Sequence, residues 1–167
     1  MIKKILTFFS IISFIFIYSN VYANSQGYRD ELPDLKKLSD LKIGIKRIEK
    51  GLKYESKGKI EKANKMYSES IDFLLKANKK RKISPDLFFY LGFTTRKLGD
   101  FENGEKFYLQ GLKIDPKHIG INEYLGELYV ATNRHNLAIE RLEVLKDCNC
   151  KEYGQLKAVI AGEKSKY

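Results

Sequence analysis

The sequence predicts an all-α fold in which about three helix pairs stack side by side and a single helix closes the C-terminal end. The triplet Tyr90-Leu91-Gly92 returns 34 residues later as Tyr124-Leu125-Gly126. A fixed period of this size is typical of stacked helix-turn-helix repeats. Apolar residues also recur at spacings of three and four, and no segment has the alternation and hairpin turns expected of strands.

The first 23 residues are predicted to be a cleavable signal peptide. Lys3 and Lys4 precede a stretch without charge at residues 5–18, and Val21-Tyr22-Ala23 places small residues at positions −3 and −1 of a cleavage site. The alternative is a membrane anchor, but the apolar run is only about 21 Å long as a helix, against a hydrocarbon core of about 30 Å. We therefore expect a secreted, periplasmic protein with no stable membrane span after cleavage, beginning with a disordered leader over residues 24–32.

The positive charge of the remaining chain lies in its first part. Residues 24–84 contain 17 bases and 9 acids, whereas residues 85–167 contain 12 of each. A basic face can steer an acidic partner; the alternative is that the lysines only solvate the surface. Export argues against nucleic acid as the partner, which leaves anionic lipid, cell-wall polymer or an acidic protein.

Residues 33–84 are predicted to form an atypical helix pair. Leucine and isoleucine spacings predict a first helix from Pro33 to about residue 57, ended by Gly58. A second helix is predicted over residues 60–80. Five small and aromatic positions match the next pair at an offset of 41 rather than 34, which leaves open whether this pair packs as a true repeat. These positions are Gly51, Tyr54, Gly58, Ala63 and Tyr67.

The two repeats that match each other at the 34-residue period cover residues 85–118 and 119–150. Ser84, Pro85 and an acid in the first turn predict a helix start with a hydroxyl cap. Asp100 is predicted to cap the second helix of this pair after a stop at Gly99. The following pair is predicted at about 120–132 and 136–146. A capping helix is predicted over about 151–164, within a C-terminal segment of residues 151–167, because a stack of repeats must end in a solvated face.

Both repeats resemble the tetratricopeptide repeat (TPR) family. In the first, Leu91 and Gly92 stand where the family has its Leu-Gly pair, and Tyr108 takes the large aromatic site. The second matches in the same register at Leu125, Gly126, Tyr129, Ala138 and Leu142. The resemblance implies a right-handed superhelix, and residues 89–153 look like a group of exported bacterial TPR proteins of unassigned activity.

The resemblance also implies a binding site, because in TPR proteins the first helices of successive pairs line a concave groove that takes peptides or protein segments. Two aromatics one turn apart would anchor a peptide, or would be extra core under the N-terminal helix. Arg96 and Glu127 would contact a partner, or pair with each other. By register, the groove residues are Phe89, Phe93, Arg96, Lys97, Glu123, Glu127 and Val130.

Cys148 and Cys150 are the only cysteines. An oxidising compartment favours a disulfide between them, although two residues at i and i+2 reach bridging distance only in a tight turn. The alternatives are reduced or intermolecular thiols, a redox-active pair, or a soft-metal site, for which two thiolates are too few ligands.

No catalytic pattern is visible in the sequence: it lacks a glycine-rich phosphate loop, an HExxH motif and a serine elbow. His118 falls on the turn between repeats and is predicted to be a helix-end residue rather than a base. We therefore predict a non-catalytic protein–protein interaction scaffold of the bacterial envelope that needs no cofactor. The alternative is a thiol-redox or soft-metal-handling accessory protein that uses Cys148 and Cys150.

Overall fold

Helices account for almost all of the chain that the computed structural model describes, residues 35–79 and 84–165, with side chains from residue 40 onward. These ranges contain no strand, which confirms the all-α prediction. The predicted signal peptide, the leader and the helix start at Pro33 lie outside them. The helices are α1 (Leu35–Glu55), α2 (Ile60–Lys79), α3 (Pro85–Lys97), α4 (Phe101–Ile114), α5 (Ile119–Ala131), α6 (His135–Leu145) and α7 (Lys151–Ile160).

The first helix of each pair ends at a residue with a left-handed backbone. Gly58 has φ 68°, Gly99 has φ 86° and Asn133 has φ 59°. Glycine adopts this conformation without a steric penalty, and asparagine is among the few other residues that visit it. The turns predicted at Gly58 and Gly99 are therefore confirmed, and Asn133 forms the turn in the gap between the two helices predicted at about 120–132 and 136–146.

Side chains cap two of the helix starts. An oxygen of Asp100 accepts a hydrogen bond from the backbone N–H of Asn103 at 3.1 Å, and Nδ1 of His118 accepts one from Ile121 at 3.1 Å. His118 is thus the helix-end residue that the sequence predicts. The predicted hydroxyl cap by Ser84 is wrong, because Ser84 starts α3 through its backbone carbonyl, which accepts from Phe88 at 3.3 Å.

The first two pairs share one close contact between a glycine and a tyrosine ring. A β-carbon on Gly51 would lie 2.5 Å from the ring of Tyr67, and one on Gly92 would lie 2.5 Å from the ring of Tyr108. Both rings are buried, with 1% and 0% of their surface exposed. The pair α1–α2 therefore shares this contact with α3–α4, despite its offset of 41 residues.

The third pair departs from this arrangement. The space beside Gly126 is filled by Leu156 of α7, whose Cδ2 would lie 2.6 Å from an added β-carbon. Leu91 and Leu125, from the two repeated triplets, are both completely buried. Helix α7 therefore closes the stack by packing on α5 and α6, in the place where a further repeat would add its own first helix.

The last helix is shorter than predicted. It ends at Ile160 instead of about residue 164, because Gly162 adopts φ 98° and turns the chain. The helices from residue 39 onward belong to one compact unit. Among the described helices, none combines the length and the apolar character needed to cross a membrane.

Substitution of Gly92 tests whether the nearby ring of Tyr108 requires a glycine at this position. We expect Gly92→Ala to destabilise the protein by about 1–3 kcal/mol, because the new methyl group meets a ring that has no free space to enter. Helix propensity acts in the opposite direction by about 1 kcal/mol. The measurement is urea unfolding followed by circular dichroism.

Gly154→Ala is the matched control. Gly154 also lies within a helix, but no atom is within 4 Å of its would-be β-carbon. Alanine there should raise the free energy of unfolding by about 0.5–1 kcal/mol. Equal effects of the two substitutions would contradict the contact as the reason for Gly92.

Candidate functional site

The surface predicted to bind a partner lies on the first helices α3 and α5, which contact each other. Four of its side chains lie on α3 and three lie on α5, and the packing of the two helices brings them together. We call this surface the first-helix face, and it consists of Phe89, Phe93, Arg96, Lys97, Glu123, Glu127 and Val130.

A nearly buried ion pair joins the two helices at this face. Nη2 of Arg96 lies 3.0 Å from Oε2 of Glu127, and the two side chains are 11% and 2% exposed. Nη1 of Arg96 also approaches the backbone oxygen of Tyr124 at 3.4 Å. The pairing of Arg96 with Glu127, one of the two sequence alternatives, is confirmed. Loss of either side chain would leave the other as an uncompensated buried charge, which is strongly unfavourable. The two side chains therefore hold each other in place.

A second charged contact ties α3 to the end of α1. Nζ of Lys97 donates to Oε1 of Glu55 at 2.9 Å, and the hydroxyl of Tyr67 donates to Oε2 of the same carboxylate at 2.5 Å. Glu55 thus connects a side chain of α2 with one of α3. Glu55 belongs to no sequence motif, and for this reason the sequence pattern does not identify it as part of the site.

These contacts shift the titration of the groups involved. Burial by itself would raise the pKa of Glu55, but the hydrogen bonds from Tyr67 and Lys97 outweigh it and hold the pKa below its ordinary value. Burial, together with the hydrogen bond to Glu55, raises the pKa of the Tyr67 hydroxyl. The carboxylate is therefore stabilised in its charged form in the folded protein.

The two predicted aromatic anchors differ in accessibility. Phe93 is 6% exposed and belongs to the core, whereas Phe89 is half-buried. Both rings meet the ring of Tyr124 edge to face, with centroids 5.5 and 5.2 Å apart. Tyr124 thus covers part of both rings, whereas one of the two alternatives from the sequence was cover by the N-terminal helix. Phe89 is the aromatic side chain on this face that a partner can reach.

The acidic residues of the face are also buried. Glu123 is 3% exposed and Glu127 is 2% exposed, while Val130 packs partly buried against the core. Oε2 of Glu127 accepts a further hydrogen bond, at 2.8 Å, from the hydroxyl of Ser165 in the segment that follows α7. Ser165 is not among the residues predicted for this face. The signal for it in the sequence is Gly162, because a glycine just after a helix favours a reversal of the chain.

A cavity of about 290 Å³ opens beside Glu127. One side is the surface of α7 and the other is the segment that follows it. Oε1 of Gln155 is buried there and has no hydrogen-bond partner. This oxygen is closed to solvent, although other atoms of Gln155 line the cavity. Its lining includes Lys151, Gln155, Ala158, Glu163 and Lys164.

A disulfide joins Cys148 and Cys150, whose Cα atoms are 5.1 Å apart. Asn149 between them has φ 48°, and the backbone N–H of Cys148 bonds to Leu145 at 3.1 Å. The bond thus closes the tight turn between α6 and α7. In the described part of the chain, no three His, Cys, Asp or Glu side chains converge as metal ligands. A redox or metal-handling role for the pair stays a prediction.

Comparison with known families bears on the second helix pair. A profile of the tetratricopeptide repeat matches residues 86–118, which are α3, α4 and the turn that follows them. Residues 86–118 thus form a tetratricopeptide repeat.

A solved structure is similar in fold to most of this chain. The structure is that of PcrH in complex with the chaperone binding region of PopB, and its TM-score is 0.60. The match covers 78% of this chain and 96% of that chain at 12% sequence identity, so it establishes a shared fold. No protein of curated function is significantly similar in sequence.

The contacts of Glu55 give a prediction about pH. Glu55→Gln should lower the free energy of unfolding by about 1 kcal/mol at pH 7, because the charge-assisted bonds from Lys97 and Tyr67 weaken. The folded-state pKa of Glu55 is depressed. The stabilisation is therefore present above the pKa of the unfolded chain and is lost as the pH falls through the lower folded-state value.

Urea unfolding at pH 7, 5 and 3 checks this, and the gap between wild type and variant should close toward pH 3. Glu143→Gln is the control, because Glu143 is exposed and pairs with the exposed Lys146 at the long distance of 3.5 Å. The free energy of unfolding should change there by less than about 0.5 kcal/mol. A gap that widens as the pH falls would show that Glu55 is not stabilised as a carboxylate.

Proposed function

We propose that this TPR protein is a non-catalytic scaffold that holds an extended segment of a partner protein along the first-helix face. The observation that carries the proposal is the concentration there of charged groups from α3 and α5 beside a half-buried aromatic ring and an adjoining cavity. Stacked repeats present extended surfaces of this kind to partners. The likeness to PcrH, solved with a region of PopB, supports a peptide as the ligand.

The partner segment has to replace contacts that the face now makes with itself. Arg96 and Glu127 compensate each other in a site that is nearly closed to water. A segment that offered only apolar groups would separate the pair without replacing either charge, and an unpaired buried charge is strongly unfavourable. We therefore expect a ligand that brings a carboxylate to Arg96, a hydroxyl or amine to Glu127, or both, with an apolar side chain on Phe89.

A basic surface on α1 adds an attraction for acidic partners. The four lysines of this surface are exposed and lie on the side of the helix opposite the buried residues Gly44, Ile48 and Gly51. Such a surface raises the rate of encounter with a negatively charged partner and loses its effect as salt screens it. These residues are Lys42, Lys46, Lys50 and Lys53.

The site of action that we propose is the bacterial periplasm. The support for it is the sequence pattern of residues 1–23, in which two lysines, an uncharged apolar stretch and small residues before a cleavage site follow one another. A partner would then be an exported or membrane-attached protein with an exposed, acidic extended segment.

Selection of ligands from a displayed library of 12-residue peptides tests this function. We expect residues 24–167, immobilised, to enrich acidic peptides whose affinity falls as salt is raised. Their affinity should fall at least about tenfold, equivalent to about 1.4 kcal/mol, in Phe89→Ala and in the charge-neutral pair Arg96→Gln/Glu127→Gln. Fluorescence anisotropy gives the dissociation constants.

Lys106→Gln is the matched control, since Lys106 is exposed on α4 and pairs with Glu102 of its own helix. Its affinity should equal that of the wild type, and circular dichroism should show that all variants remain helical. Enriched peptides that bind every folded variant equally well would show that the first-helix face is not the binding surface.

A further inference from the structure

We infer that the chain carries a resident occupant of its own binding surface: residues 162–165, which lie against Glu127 and must be displaced by a partner. The inference rests on the proposed function and identifies the part of the surface where a partner replaces residues 162–165. The partner that replaces them is a short peptide segment with a hydroxyl or amine donor.

The end of α7 directs this segment toward α5. The backbone N–H of Gly162 bonds to the carbonyl of Val159 at 3.1 Å, and that of Glu163 bonds to Ala158 at 3.0 Å. With the left-handed backbone of Gly162, these two bonds form a Schellman motif, which ends a helix by turning the chain back. The segment therefore has a defined course after the helix.

The segment makes the contact that a ligand would make. The hydroxyl of Ser165 donates at 2.8 Å to Oε2 of Glu127, the same oxygen that Arg96 reaches at 3.0 Å. Glu127 is only 2% exposed, so the hydroxyl meets a charge that is almost closed to water. A hydrogen bond to an ionised acceptor is stronger than one between neutral groups. Ser165 thus stands where a donor from a partner segment would stand.

The resident segment nevertheless fits its site imperfectly. A cavity of about 290 Å³ remains between it and α7, and Oε1 of Gln155 is buried in this region without a hydrogen bond. A buried acceptor without a donor is unfavourable. A partner segment that filled the cavity would make contacts with the surface of α7 that the resident lacks. This difference lets a better ligand displace a tethered one.

Tethering sets how strongly the segment competes. A short linker gives an attached ligand an effective concentration in the millimolar range. A separate ligand can bind only those molecules whose site is open. Its apparent affinity is therefore the intrinsic affinity multiplied by the open fraction. Removal of the segment should therefore increase the affinity for any ligand that uses the same site.

The test compares the full chain with a chain that ends at Gly162. Each is titrated with a synthetic peptide of residues 163–167, and backbone amide shifts are followed by NMR. In the shortened chain we expect saturable shifts at Glu127, Gln155 and Ala158, and at least tenfold weaker binding to the full chain. A peptide with Ser165→Ala should bind the shortened chain at least threefold more weakly than the native peptide. A peptide of the same composition in scrambled order is the control.

Absence of saturable shifts in the shortened chain would overturn the inference, as would equal affinity for both chains or no effect of Ser165→Ala. The peptides selected from the displayed library separate this failure from a failure of the proposed function. If they depend on Phe89 but bind both chains equally, the first-helix face binds ligands and the resident segment does not compete. If none depends on the first-helix face in either chain, the proposed function itself fails.

Discussion

The structure depends on the close approach of two helices wherever a glycine faces an aromatic ring. Gly51 lies against Tyr67, and Gly92 lies against Tyr108. A larger residue at either glycine would push the two helices of the pair apart, and the first helices of neighbouring pairs would lose their common register. Because α3 and α5 remain close, Arg96 of one can reach a carboxylate of the other.

This spacing also determines what kind of surface the first helices present. Arg96, Lys97 and their partners form ion pairs between helices instead of leaving charges in water. Such a face is preorganised, and its side chains are already fixed when a partner arrives. Binding then exchanges contacts of similar strength, which favours a ligand whose charges match over one that is merely apolar. Within the chain itself, the hydroxyl of Ser165 already gives Glu127 a polar contact.

The sequence predicts the parts of this arrangement that recur with a fixed period. The buried Leu91 and Leu125, the glycine turns and the pairing of Arg96 with Glu127 all follow from register, because residues 34 apart occupy equivalent places. The contact of Ser165 does not follow from it, because this residue lies after the last repeat. The contacts of Glu55 do not follow either, because its helix pair is offset from the next by 41 residues instead of 34. Ser165 reaches Glu127 only because one glycine three residues earlier adopts a left-handed backbone. The burial of Phe93 depends on the side chain of Tyr124 in the neighbouring repeat, which spacing alone does not place.

A double-mutant cycle on Gly92 and Tyr108 tests the central claim most directly, with free energies of unfolding measured for Gly92→Ala, Tyr108→Leu and the double variant. If Gly92 is required because the ring of Tyr108 lies where a β-carbon would be, leucine removes much of the clash. The account predicts that Gly92→Ala destabilises the Tyr108→Leu protein by at least about 1 kcal/mol less than it destabilises the wild type. An equal destabilisation in both backgrounds would contradict the claim that this contact sets the spacing of the helices.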